Sequence, residues 1–181
     1  GNGERRYLLL VERKDGTSLE MVRWRGDMGA RGKIEALDRW NGRTLGAGAG
    51  LDERDTLFGA AVQVVSDRYG RQTGYSLQAW SVEADGEFRS EPPIPIQPAE
   101  PIEIDRAVVE LSRRGNIVAF LRARDGRWLI CNRHGQPLPL PDRLLEFGEP
   151  IGALWLQESE PLVVMQGPAR GITYQKLLLE R

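Results

Sequence analysis

Four stretches of this 181-residue chain hold residue types that could do chemistry. Cys131 and His134, the single cysteine and the single histidine, stand three residues apart, and a Cys–His pair can generate a thiolate nucleophile. No third group to orient the imidazole is evident, so the spacing reads as a packed cysteine beside a solvent-facing turn histidine. One Cys and one His also rule out an internal disulfide and a cysteine- or histidine-based structural zinc site. In "LDERDTL", Asp52, Glu53 and Asp55 crowd together, which suggests calcium or general-acid chemistry. The glycine at the sixth position of an EF-hand loop is missing, and a solvated turn or an acidic helix start accounts for the cluster. "GRTLGAGAG" (42–50) is glycine-rich but has neither the Lys-Ser/Thr of a P-loop nor the Gly-x-Gly-x-x-Gly opening of a helix. It reads as a strand packed where side chains have little room. No catalytic set, metal site or cofactor is expected.

The fourth stretch, "MVRWRGDMGARGK" (21–33), is the most basic run, with Arg23, Arg25, Arg31 and Lys33 around Trp24. On a strand, "RWR" places Arg23 and Arg25 on one face and Trp24 on the other. Such a surface can meet phosphates and bases, or the acidic surface of another protein; arginines paired with local acids are the competing reading. Of the five tryptophans, Trp80 and Trp128 are expected in the core. Trp40, beside the Asn41-Gly42 turn, is expected to be exposed. Arg23, Trp24, Arg25, Arg31 and Trp40 are therefore the candidate partner-binding residues.

Composition bounds the partners. The 25 basic residues nearly cancel 26 acidic ones, for a net charge of −1, so only a local patch could attract nucleic acid or an anionic membrane. Lysine occurs only at 14, 33 and 176, so nearly all the positive charge is arginine. "YLLLV" is far short of the roughly twenty apolar residues that span a bilayer. The Gly-Asn-Gly start reads as the edge of an excised domain, which leaves room for a leader or a further domain, and the compartment is left open.

The elements that must position these residues are strands. Short Val-, Ile-, Leu-, Tyr- and Trp-rich runs are bounded by Gly, Asp, Asn and Pro. Only "DRLLEF" (142–147) and a short turn within "LDERDTLFGA" (51–60) read as helical. Turn signals at Asp15-Gly16, Asn41-Gly42, Asp85-Gly86, Gly115-Asn116, Asp125-Gly126 and His134-Gly135 predict two-residue hairpin loops and an antiparallel meander. An offset of 45 residues lays Ala107–Leu111 over Gly152–Leu156, Ile117–Phe120 over Leu162–Met165 and Gly126 over Gly171. Stepping back by the same offset sets Val62–Ser66 beneath Ala107–Leu111 less cleanly. Repetition at this period predicts four-stranded β-propeller blades, which stack because a lone sheet cannot cover both faces. The expected blades are 5–50, 57–92, 105–140 and 150–181, within a single domain. The five-proline stretch "EPPIPIQPAEPIEI" (91–104) is expected to be a connection or sub-boundary.

"NIVAFLRARDGRWLICNRHGQPL" resembles the second to fourth strands of a WD40-type or TolB-type blade. "KIEALDRWNGRTL" is similar to the hairpin joining the last two strands of a PQQ-type blade. The Gly-His and Trp-Asp marks of WD40 repeats are absent, so the resemblance implies architecture and not activity. Propeller enzymes draw several His, Asp or Glu residues from different blades to an axial site, and one histidine speaks against that. The expected function is a non-enzymatic scaffold for a protein partner, self-contained or completed by further blades or a second copy. An alternative comes from "GLDERDTLFGAAVQVVSD" (50–67), which resembles the acidic-turn-then-strand passages of the β-pinwheel in gyrase A C-terminal domains. That resemblance implies DNA wrapping through "RGDMGARGK", although the glutamine-led basic Gly box of that family is absent.

Overall fold

The computed structural model describes residues 5–13, 16–24, 33–40, 42–51, 56–83, 85–157, 160–168 and 171–177. The chain is mainly β, in four antiparallel sheets with one short helix among the described residues. The first sheet joins β1 (Arg5–Arg13), β2 (Gly16–Trp24) and β3 (Lys33–Trp40) in sequence order. The second has the order β4 (Thr44–Leu51), β5 (Leu57–Ser66), β6 (Gln72–Val82) and β7 (Phe88–Ser90), with β8 (Ile94–Ile96) also pairing with β6. The third is β9 (Ile104–Leu111), β10 (Ile117–Ala123), β11 (Trp128–Asn132) and β12 (Pro137–Pro139). After helix α1 (Asp142–Leu145), the fourth is β13 (Glu149–Gln157), β14 (Glu160–Gln166) and β15 (Ile172–Lys176).

Two compact units divide the chain. One holds residues 1–44 and 64–73, the other 45–63 and 74–181. The proline-rich stretch 91–104 lies inside the second unit and contributes the short strand β8, with Tyr75 opposite Ile96. Proline suits such an edge position because its missing N–H is not needed there.

In the first unit, Leu19 and Met21, on one face of β2, are fully buried. The core of the second unit is larger. Val118 and Phe120 of β10 meet Val163 and Met165 of β14, joined by Trp128, Ile130, Leu140 and Leu144. The pairs aligned by the 45-residue offset, Val118 with Val163 and Phe120 with Met165, thus occupy equivalent second strands, and all four side chains are fully buried. Tyr75–Trp80 of β6 and Ile117–Leu121 of β10 are buried without alternation, which means that both faces of these strands are covered.

Two sequence expectations change here. Arg13 pairs with Gly16, as a two-residue connection requires, but four other hairpin loops are three residues long, not two. Asp67/Arg71, Glu83/Glu87, Ser112/Asn116 and Ala123/Arg127 close the loops by backbone N–H donation from the first residue to the carbonyl of the second. The glycine before the closing residue has positive φ: Gly70 at 78°, Gly86 at 95°, Gly115 at 78° and Gly126 at 92°. This is a type I turn completed by a glycine bulge. The segment 44–50, expected to close the first meander, instead opens the second sheet. Gly42 makes no positive-φ turn; a Cβ there would strike the carbonyl oxygen of Val64. A Cβ at Gly46 or Gly48 would fall on the carbonyl oxygens of Ala107 and Val109 in β9. The glycines thus serve close backbone approach, as the sequence reading of "GAGAG" anticipated.

Candidate functional site

The described residues of the second unit form an open cleft of about 310 Å³ between the second and third sheets. Phe58, Ile94, Leu111 and Ile117 give it an apolar floor, and Trp80 also lines it. Trp80 is 4% exposed and lies over Gly59, where an added Cβ would strike the indole. The glycine is therefore needed for the ring to sit in place. The indole N–H of Trp80 is buried and has no hydrogen-bond partner.

Two hairpin turns supply the rim. In a meander, alternate turns fall at the same end of the sheet, so the β9–β10 turn and the β11–β12 turn bring Arg113, Arg114 and Arg133 together. Both turns are held by their own side chains. Ser112 Oγ accepts from the backbone N–H groups of Arg114 at 3.2 Å and Asn116 at 3.1 Å. Asn132 Oδ1 accepts from the His134 N–H at 2.9 Å, and Gly135 turns the chain at φ 77°. Such local bonds fix turns without help from the core.

Charge at the rim is unbalanced. Among the described residues, Glu91 is the only carboxylate lining the cleft, against three guanidinium groups. Arg113 and Arg133 are exposed and make no ion pair among the described residues. On the β10–β11 turn of this sheet arginines are matched: Arg124 lies 2.9 Å from Glu103, and Arg127 lies 2.8 Å from Asp125. The backbone N–H and guanidinium of Arg127 hold the Asp125 carboxyl below the usual carboxylate range.

The residues singled out from sequence do not form one surface. Register sets Arg23 directly opposite both Arg6 and Lys33. Its guanidinium reaches Glu35 at 3.6 Å, while its Nε is buried without a partner. Trp24 ends β2; its side chain, together with Arg25, Arg31 and the acidic Asp52, Glu53 and Asp55, lies outside the described residues. Trp40 is not exposed as expected. Only 8% of it is accessible, and its indole N–H donates to Asp38 Oδ2 at 2.9 Å, so the side chain folds back onto its own strand. Trp80 and Trp128 are buried as expected. Cys131 is buried, its thiol pushed up to about 12 by desolvation, and it faces the Asn132 carbonyl at 3.3 Å. His134 is exposed on the turn. The cleft was missed because Arg113-Arg114-Gly115 and Arg133-His134-Gly135 were read as turn punctuation. That they flank the strand pair β10–β11 was the available signal.

Two features mark the first unit. Tyr7, Val22 and Ile34 stand in one cross-strand line, with Tyr7 and Ile34 49% and 63% exposed. At the β5–β6 tip, Tyr69 is 69% exposed, with the Arg68 and Arg71 guanidiniums 4.7 and 6.0 Å from its ring centre. Asp67 Oδ1 accepts from the N–H groups of Tyr69 and Arg71 at 2.8 and 2.9 Å, which fixes this tip.

The sequence matches no family model and no curated protein. Among solved structures, the chain is similar to a protein of unknown function from Dyadobacter fermentans, with a TM-score of 0.44 and 14% identity over 95% of this chain. The match spans 55% of that protein's chain.

Proposed function

We propose that the protein is a non-enzymatic interaction module, with propeller-like blades as its scaffold and the arginine-rimmed cleft as the seat of a protein partner. The blade reading is supported by how first strands meet in the second unit. The glycines of β4, the first strand of the second sheet, lie on β9, the first strand of the third. Glu110 of β9 lies against Gly152 and Ala153 of β13, the first strand of the fourth. First strands that adjoin one another are what stacking around an axis requires.

The observation that carries the interaction reading is the cleft itself. Apolar floor, side-chain-braced turns and the guanidiniums of Arg113 and Arg133, which make no ion pair among the described residues, are the ingredients of an interface anchor. Its titratable groups among the described residues are three arginines and one exposed glutamate, which can bind and orient but offer no nucleophile–base pair. The test is capture from a lysate of the source organism by the wild type and by an Arg113→Glu/Arg133→Glu variant, with and without nuclease. A protein retained by the wild type in both halves and lost from the variant, with thermal unfolding unchanged, is the expected result. Equal retention by the two chains would remove the cleft from the interaction.

A second reading, nucleic-acid binding, is favoured by Tyr69 beside Arg68 and Arg71, because an exposed ring next to guanidiniums can stack on a base while they meet phosphate. It requires nuclease-sensitive retention that weakens with salt and with Tyr69→Ala.

A further inference from the structure

We infer that the partner segment seated in the cleft carries an acidic residue next to an apolar one. This rests on the interaction reading above and names the chemistry of that same site. Arg113 and Arg133 project from two separate turns, each held by side-chain-to-backbone bonds, and neither makes an ion pair among the described residues. Guanidiniums on fixed supports bind a carboxylate with less ordering cost than guanidiniums on a mobile loop. At the opposite end of the sheet, Arg124 and Arg127 are already engaged with Glu103 and Asp125, whereas the cleft arginines are open to an acid. Phe58, Leu111 and Ile117 line the same cleft as its apolar floor. A carboxylate alone would leave that floor wet; an apolar side chain alone would leave the rim uncompensated. The cleft's volume, about 310 Å³, is at the small end of ligand pockets and suits one large side chain with its neighbour. Glu91 lines the same cleft and disfavours a second acid, which points to a single carboxylate beside a hydrophobic group and away from an acidic run.

The test is titration of the whole chain with acetyl-Phe-Asp-amide, its isostere acetyl-Phe-Asn-amide, and N-acetylphenylalanine as a free organic acid. Binding is followed through the tryptophan indole N–H signals. The expected result is saturable binding of the Phe-Asp peptide with a dissociation constant of ~1 mM, at least tenfold weaker for Phe-Asn, and weakened by salt. Arg113→Ala/Arg133→Ala should reduce Phe-Asp binding at least tenfold, while Arg143→Ala, on α1, should leave it unchanged. Equal binding of Phe-Asn, saturation by the free acid but not the peptide, or no saturation by any probe would each overturn the inference. Capture that depends on Arg113 and Arg133 without Phe-Asp binding would sink this inference and leave the interaction module standing. Phe-Asp binding with no captured protein would do the reverse.

Discussion

Arginine occurs in opposite circumstances at the end of β2 and at the rim of the cleft. Arg23 stands on a strand, across from Lys33 and Arg6, reaching diagonally to Glu35 with its Nε buried. Arg113 and Arg133 stand on turns, exposed and unpaired among the described residues, above an apolar floor. The side-chain type is the same, but strand register absorbs the first into the sheet while turn geometry leaves the other two available. A basic run in sequence therefore locates charge, whereas availability depends on what the fold places one strand away.

The contrast can be broken or sharpened by substitution. The largest effect is expected from Phe120→Ala, which removes a fully buried ring from the core beneath β10. Denaturant unfolding should show a loss of about 3 to 5 kcal/mol, and the cleft should go with it. Gly48→Ala drives a Cβ onto the Val109 carbonyl; a loss of about 1 to 3 kcal/mol is expected from such overpacking. An unchanged midpoint would mean that β4 does not need its close approach to β9.

Trp40→Phe keeps a ring but removes the N–H donated to Asp38. Chemical denaturation should register a loss of about 1 kcal/mol, with cleft binding untouched; a fall in partner capture would restore Trp40 to the interface. Arg23→Ala should change stability by no more than about 1 kcal/mol and leave Phe-Asp binding as in the wild type, in contrast to the cleft arginines.

Glu110→Gln is expected to have the smallest effect, and its sign depends on pH. Burial pushes the Glu110 carboxyl above its usual range, partly offset by the Ala153 N–H that it accepts. The folded state thus holds this proton more tightly than the unfolded chain does. That contribution is fully present below the ordinary carboxylate pKa and is lost as pH rises through the raised one. Thermal midpoints of the Gln variant should exceed those of the wild type near neutral pH and converge with them in acid. A parallel offset at all pH values would show that Glu110 does not titrate differently in the fold.

The strands were legible because alternation and turn residues are local signals. Asp125-Gly126 and Gly115-Asn116 marked real reversals, and "DRLLEF" held its single helical turn. Loop length was misjudged because Gly126 and Gly115 suit either a two-residue turn or a three-residue loop, and only the closing bonds at Ala123/Arg127 and Ser112/Asn116 distinguish them. The 45-residue offset was legible because Val118/Val163 and Phe120/Met165 fill the same kind of position in one core. Trp40 was misplaced because a turn-adjacent tryptophan looks exposed until a partner such as Asp38, two residues back, captures its N–H.

By itself, then, the sequence determined a mainly β chain of short antiparallel strands, a buried cysteine, and glycines where backbone must approach backbone. These follow from side-chain periodicity and from the conformational freedom of glycine, both properties of a few neighbouring residues. Only the tertiary structure decided that 44–51 joins the second sheet, that Arg23 meets Glu35, and that Arg113 and Arg133 share a cleft with Phe58 and Trp80. Those outcomes depend on register and on which turns fall at the same end of a sheet. Residues far apart in the chain set both, so no local window carries them.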